Sequence, residues 1–305
     1  MGLHKRNLHK DRYDIDRLKI RTPELLPYIK KNPQGESTID FTNSTAVRYL
    51  NQALLAEHYG VDKWAIPNEY LCPPIPGRSD YIHHLADLLG HPDGEKVCQD
   101  KNIRALDIGS GANCIYPILG SQIYGWKFLA SEVDVQAYKT ASLIVTANPN
   151  LVNFIQVKKQ PDRNFIFKHV IQSKHKFDCS LCNPPFHKSV SHAKESNDRK
   201  VRNLSKGKAG AGTSPLNFGG QNTELWYPGG EVAFLNKMVH ESARYENQVR
   251  WFTSLVSRKE NLRPLVSLVK RKGVKDYKII EMSQGQKKSR ILAWTFLTKK
   301  QHTDW

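Results

Sequence analysis

The stretch Ile103-Arg104-Ala105-Leu106-Asp107-Ile108-Gly109-Ser110-Gly111 decides the fold. A short apolar run that stops at glycines is the pattern of a buried strand turning directly into the next element. Working outward, Trp126–Val133 reads as a second strand and Val135 to Ala147 as a helix. Phe154–Val157 and Phe177–Leu181 read as third and fourth strands. Residues 188–222 interrupt the alternation, being basic first and then glycine-rich (207, 210, 212, 219, 220). They are expected to form a mobile loop that orders on binding. Beyond it come a helix over Glu231–Gln248, a strand over Val249–Val256 and a helix over Leu262–Lys272. Tyr277–Met282 and Ile291–Leu297 read as two closing strands. Strands alternating with helices predict an α/β fold, a parallel sheet with helices on both faces.

Upstream, residues 1–40 are polar, carry prolines at 23, 27 and 33, and read as an arm with at most short helices. Asn43 or Ser44 caps a helix whose apolar face is Val47, Leu50, Leu54 and Leu55, and Gly60 ends it. Cys72-Pro73-Pro74-Ile75-Pro76-Gly77 reads as a breaker and a boundary. Ser79 or Asp80 then caps a helix bearing Tyr81, Ile82, Leu85, Leu88 and Leu89, stopped by Gly90 and Pro92. The expected division is a basic N-terminal extension over 1–75, in contact with nucleic acid, and one domain over 76–305.

The chain has 305 residues, 39% of them hydrophobic, enough for one large domain or two small ones. No apolar run approaches the ~18–20 residues of a membrane span. Met1-Gly2-Leu3-His4-Lys5-Arg6 leads into no signal core, and Arg6 replaces the hydroxyl residue that myristoylation at Gly2 needs. Cysteines at 72, 98, 114, 179 and 182 form no even framework, so reduced thiols in the cytoplasm are expected.

Charge says more. Lys plus Arg number 46 against 29 acids, a net +17 carried by residues 1–22 (+4), 188–208 (+5) and 258–290 (+8). Three basic segments on a neutral body point to a polyanion, with nucleic acid first. Solvated surface lysines are the plain alternative. The candidate contacts are Lys5, Arg6, Lys10, Arg12, Lys188, Lys194, Arg199, Lys200, Arg202, Lys206, Lys208, Lys287 and Lys288.

Glycines after Asp107 let a backbone approach a ligand that a Cβ would block, although a tight turn explains them equally well. The position three after Gly111 is Cys114, which departs from the dinucleotide fingerprint. Glu132 ends the next strand, about 20 residues on, where an acid suits ribose hydroxyls. Asp134 suits the lesser role of a helix cap. The strand Phe177–Leu181 runs on through Cys182 into Asn183-Pro184-Pro185-Phe186. Two prolines stiffen this turn and leave the Asn183 side chain and the Pro184 carbonyl as acceptors for the two hydrogens of an NH₂ group. Such a grip aims the nitrogen lone pair at an electrophile and favours the positive charge it gains. Phe186 offers a face for a base to stack upon.

In this order the motifs resemble the amino methyltransferases that use S-adenosylmethionine. Ile75-Pro76-Gly77-Arg78-Ser79-Asp80-Tyr81-Ile82, Gly111-Ala112-Asn113-Cys114-Ile115-Tyr116-Pro117, Gly229-Gly230-Glu231 and the segment from Gly285 to Trp294-Thr295-Phe296 extend the match. They resemble the methyltransferase-like 16 family of RNA adenine-N6 methyltransferases, over roughly residues 70–297. Within it the chain looks like the bacterial branch, large-subunit methyltransferase F, which acts on 23S ribosomal RNA; residues 188–222 match least. The resemblance implies a Rossmann-like class I methyltransferase fold, S-adenosylmethionine as cofactor, and 23S ribosomal RNA or an assembling large subunit as partner. It implies cofactor contacts at Arg78, Gly109, Asn113, Glu132 and Asn183, with Asp107 and Gly111 completing the loop. Asn183, Pro184, Pro185 and Phe186 are the implied catalytic turn.

Cys179-x-x-Cys182 has redox or zinc spacing but lacks a second ligand pair, and its place in a strand reads as core. His83, His84, His187 and His192 show no metal pattern, so no metal is expected. Other acceptors for the same turn are adenine in another RNA or in DNA, and a glutamine amide in protein. The charge disfavours the glutamine. A non-catalytic RNA-binding protein is a separate class, against which the intact turn and glycine loop stand.

Overall fold

The computed structural model describes residues 2–90, 102–187, 226–284 and 287–305. Near the N-terminus, helix α1 (Ile15–Arg21) and a 3₁₀ turn over Pro23–Tyr28 precede a small antiparallel hairpin, β1 (Ile29–Lys31) with β2 (Ser37–Ile39). Helix α2 (Ser44–Tyr59) begins where the Asn43 side chain accepts from the Thr45 and Ala46 amides, and ends at left-handed Gly60. Helix α3 (Ile75–Leu88) follows.

The main sheet has seven strands among the described residues: β3 (Arg104–Ile108), β4 (Lys127–Glu132), β5 (Ile155–Lys159), β6 (Phe177–Cys182), β7 (Val249–Val256), β8 (Asp276–Gln284) and β9 (Lys287–Thr295). Their order is β5-β4-β3-β6-β7-β9-β8. The run from β5 to β7 is parallel, as the alternation predicts, whereas β9 enters antiparallel to both β7 and β8. A tight hairpin can join only antiparallel strands, so the last two depart from the parallel rule.

Alternation splits the core in two. Ala105, Ala130, Cys179 and Leu181 face α2, α3, α4 (Ile115–Tyr124) and α5 (Val135–Ala147). Leu106, Leu129, Phe252 and Trp294 face the opposite layer. After a short α6 (Pro149–Val152), that layer holds α7 (Gly230–Ser242) and α8 (Leu262–Arg271), and α9 (Lys299–Thr303) closes the chain. Among the described residues no helix is long and apolar enough to cross a membrane.

Two expectations fail here. Helix α3 starts at Ile75, not at Ser79, because Pro76 sits in the first turn, where a missing N–H costs nothing. Ser79 and Asp80 are therefore buried inside the helix. Residues 1–40 hold only short helices, as expected, but do not stand off as an arm: Ile15, Leu18, Leu25 and Ile39 are buried in the same cluster as the sheet's Ala105 and Leu181. Each such side chain stabilises by about 1.5–3 kcal/mol on burial. No break in the core marks residue 75.

Candidate active site

The carboxyl ends of β3, β4 and β6 converge on a cavity of about 700 Å³. Open parallel sheets place ligands there. The loop after β3 turns through left-handed Gly109 (φ 70°), Gly111 (φ 62°) and Cys114 (φ 51°). The Gly109 and Ser110 amides both donate to the Ser131 carbonyl at 3.0 Å, pinning the loop to β4. A Cβ on Gly109 would meet no atom within 4 Å. Backbone conformation, not crowding, thus requires glycine there, and the space beyond belongs to the cavity.

Arg78 lines the cavity, and Asp107 lies behind the wall within electrostatic reach of Arg78 and Glu132. Asp107 is 1% exposed and neither carboxylate oxygen has a partner. Burial, and then the nearby Glu132, push its carboxyl well above the usual range, against the pull of Arg78. Arg78 donates from Nη1 to the Tyr116 hydroxyl at 2.6 Å and lies over that ring at 5.3 Å, while its buried Nε is unpartnered. Burial raises the Tyr116 hydroxyl to about 12.

Glu132 is buried, and its carboxylate accepts three amides: Gly111 at 2.8 Å, Val133 at 2.7 Å and Asp134 at 2.8 Å. Burial raises its pKa and the three bonds oppose the rise. A carboxylate has about four acceptor positions, so roughly one is left for a ligand hydroxyl. Asp134 takes the cap role, accepting from Ala137 N–H at 2.8 Å and from the Tyr70 hydroxyl at 2.8 Å. Asn113 lines the cavity, but its amide is engaged: Oδ1 accepts from Ile115 N–H and Nδ2 donates to the Leu71 carbonyl.

Asn183 and Pro185 also line the cavity, and the Asn183 Oδ1 is buried with no partner. Pro184 is buried beside them. Phe186 is half-buried and is not among the residues that line the cavity. Rings on the wall are instead Trp226, Tyr227 and Phe234. Sequence reading missed them; the signal available was an aromatic pair just before Gly229-Gly230. His187 bridges Trp226 in parallel, and the Tyr227 amide donates to the His187 carbonyl at 3.0 Å. Arg163, Asn164, Phe165 and Ile166 form another part of the wall. Buried Glu241 holds that segment by accepting the Ile166, Phe167 and Lys168 amides at 2.7–3.0 Å. No local pattern announces Glu241. In Gly229-Gly230-Glu231, the Glu231 carboxylate accepts from Ser257 N–H and from the Asn261 side chain, fixing the start of α7.

The basic candidates divide. Arg6 is not available to phosphate: its guanidinium donates to Asp87, the Tyr124 hydroxyl and the His83 carbonyl. Arg12 pairs with Glu36 at the surface. Lys5, Lys10 and Lys288 are exposed and form no ion pair among the described residues. Lys188, Lys194, Arg199, Lys200, Arg202, Lys206 and Lys208, like the expected loop over 188–222 that carries them, lie outside the described residues, as does the Lys287 side chain. Cys179 and Cys182 are free, buried, and packed into opposite cores. One trio of described residues, His4, His84 and Asp87, brings metal-ligating atoms within 4.8 Å. Asp87 is engaged there by His4 at 2.9 Å and by Arg6, and the Arg6 amide donates to the His4 Nδ1, which leaves the Nε2 of His4 as the N–H side.

A family described as RNA methyltransferase matches residues 1–298. Ribosomal RNA large subunit methyltransferase F of Desulfotalea psychrophila is 53% identical over 294 residues, 96% of this chain and 94% of that protein. The protein of the same name from Klebsiella pneumoniae is 51% identical, over 97% of this chain and 95% of its own. Among solved structures, the human METTL16 catalytic domain in complex with MAT2A 3′UTR hairpin 6 superposes with a TM-score of 0.80 at 32% identity, over 98% of this chain and 99% of that one. The N-terminal domain of human METTL16 in complex with SAH gives 0.76 at 30% identity, over 98% and 100%.

Proposed function

This chain belongs to the RNA methyltransferase family, and we propose that it transfers a methyl group from S-adenosylmethionine to the N6 amine of an adenine in large-subunit, 23S ribosomal RNA. One observation carries the reading. Buried atoms without partners gather at this cavity: Nε of Arg78, Oδ1 of Asn183 and Nε1 of Trp226 on its wall, and both oxygens of Asp107 behind it, within electrostatic reach of Arg78. Buried polar groups are otherwise almost always paired, so such a cluster fits a polar ligand.

The residues fit the cofactor. Arg78 suits a carboxylate and Asp107 an ammonium, the two ends of an amino acid; the last acceptor position of Glu132 suits a ribose hydroxyl. Bound there, S-adenosylmethionine supplies an electrophilic methyl on a positively charged sulfur. Gly109 and Gly111 admit it at backbone distance, and Asn113 shapes that end through its cap on α4. Asn183 Oδ1 and the Pro184 carbonyl accept the two amine hydrogens, turning the N6 lone pair toward the methyl. As nitrogen bonds to the methyl carbon, the carbon–sulfur bond would break with its electron pair leaving on sulfur as S-adenosylhomocysteine, and the same two oxygens would stabilise the charge the nitrogen gains. The amine then releases a proton to water, so no dedicated base is required. A paired adenine cannot reach this turn, so the base must be unpaired or flipped. Pro185 stiffens the turn, and Phe186 meets the base only if it swings in. Lys5, Lys10 and Lys288, with the basic residues of 188–208, are the proposed phosphate contacts, and the cytoplasm is the proposed compartment.

Mass mapping of modified nucleosides in ribosomal RNA from cells with and without the chain tests this. Loss of one N6-methyladenine from 23S RNA, restored by the intact chain and not by Asn183→Ala, is expected. An unchanged modification map refutes it.

A further inference from the structure

Two unpartnered polar atoms lie in the cavity wall on the acceptor side. One is Asn183 Oδ1, an acceptor; the other is Trp226 Nε1, which can only donate. Their segments are held together by the parallel bridge between His187 and Trp226 and by the bond from Tyr227 N–H to the His187 carbonyl. Trp126 also has an unpartnered indole N–H, but it is fully buried against Tyr124, where no ligand reaches. Trp226, in contrast, is half-buried and lines the cavity.

We propose that the Trp226 indole N–H donates to a ring nitrogen of the target adenine while Asn183 Oδ1 accepts from its amine. The inference rests on the adenine-N6 reading above and assigns base selection to a residue outside the Asn-Pro-Pro-Phe turn. A donor beside an acceptor reads an amine next to an unprotonated ring nitrogen, which adenine offers at N1 and at N7. Guanine presents O6 where adenine presents the amine, so its oxygen faces the Asn183 oxygen. On the N1 edge guanine also carries a hydrogen, which opposes the indole N–H. Rejection by unmatched buried polar groups discriminates more strongly than shape does.

Trp226→Phe removes the N–H and keeps a ring. Methyl transfer by the full chain is measured on a large-subunit RNA fragment carrying adenine, 1-deazaadenine or 7-deazaadenine at the methylated position, with cofactor affinity followed by calorimetry. The unaltered chain should lose about tenfold in kcat/KM on one of the two deaza bases. Trp226→Phe should lose about tenfold on adenine and nothing further on that deaza base, at unchanged cofactor affinity. Equal losses for Trp226→Phe on all three bases overturn the proposal. So does indifference of the unaltered chain to both nitrogens, a result that needs no variant. Absence of transfer to the adenine RNA itself is a different failure, that of the adenine-N6 reading.

Discussion

Helix α3 presents two polar faces, and they differ in how completely they are satisfied. Toward the N-terminal segment, Asp80 accepts the His4 amide at 2.6 Å and the Asn7 side chain at 3.1 Å. Asn7 also holds the Pro76 carbonyl, Arg6 holds Asp87, and His83 meets both Tyr124 and Ser79. None of these residues has a buried side-chain N or O left without a partner. Toward the cavity the same helix carries Arg78, whose Nε is unpartnered, and Asp107, behind the wall and within its electrostatic reach, has neither oxygen satisfied. The paired face holds the molecule together. The unpaired face is the one proposed above to hold the cofactor, where unmatched buried polar groups fit a polar ligand.

Substitutions on the two faces should therefore fail in different ways. The largest effect is expected at Asn183. Asn183→Ala should lower methyl transfer by about 10²–10³-fold or more, as loss of one transition-state contact does, with stability nearly unchanged. Tritiated methyl incorporation and RNA affinity, measured side by side, check it; near-normal turnover removes Asn183 from the chemistry. On the paired face, Asp87→Ala leaves the half-buried Arg6 guanidinium without its carboxylate and should cost about 1.5–3 kcal/mol in urea unfolding. Turnover per folded molecule should stay the same. A catalytic loss without a stability loss would erase the distinction between the faces.

Acid should act on the paired face first. Burial lowers His83 from 6.5 to about 3 and His9 from 6.5 to about 4. Between these values the unfolded chain binds protons that the folded chain refuses. Stability is therefore complete above pH 6.5 and falls as pH drops toward 4. With both histidines contributing, the slope approaches about 2.7 kcal/mol per pH unit. Urea midpoints between pH 7.5 and 4.5 measure it, and a flat profile rules it out. Asp107 works in the opposite sense: its raised pKa favours the protonated fold, and a cation bound beside it drives the proton off. Cofactor affinity should accordingly keep rising with pH where stability no longer changes.

What the sequence makes legible follows the same line. Helix α5 and strand β7 run over the residues their patterns mark, because a cap or an uninterrupted apolar run is a local signal. The glycine loop, Glu132 and the Asn183 turn also announce themselves locally. The N-terminal packing does not: Leu25 and Ile39 sit among prolines and charges, with no period to betray their burial. Arg6 looks like any cation in a basic run until Asp87, 81 positions away, is seen beside it. Trp226, Arg163 and Lys237 reach the cavity from separate segments, so only the folded chain brings them together.

The place of β9 has a consequence for how the molecule is made. β7 is buried along nearly its whole length, with Trp251, Phe252 and Leu255 in its two cores, and its outer neighbour is β9 rather than the earlier β8. A chain emerging from the ribosome therefore shows β7 with one open edge until residues 287–295 follow, a delay of seconds at about 5–20 residues per second. An open, apolar edge is a template for pairing with another nascent chain. The first residues wait as well, since the Gly2 carbonyl accepts from Ser283 at 3.4 Å. A pause in translation between β7 and β9 is the moment at which this protein most needs a chaperone.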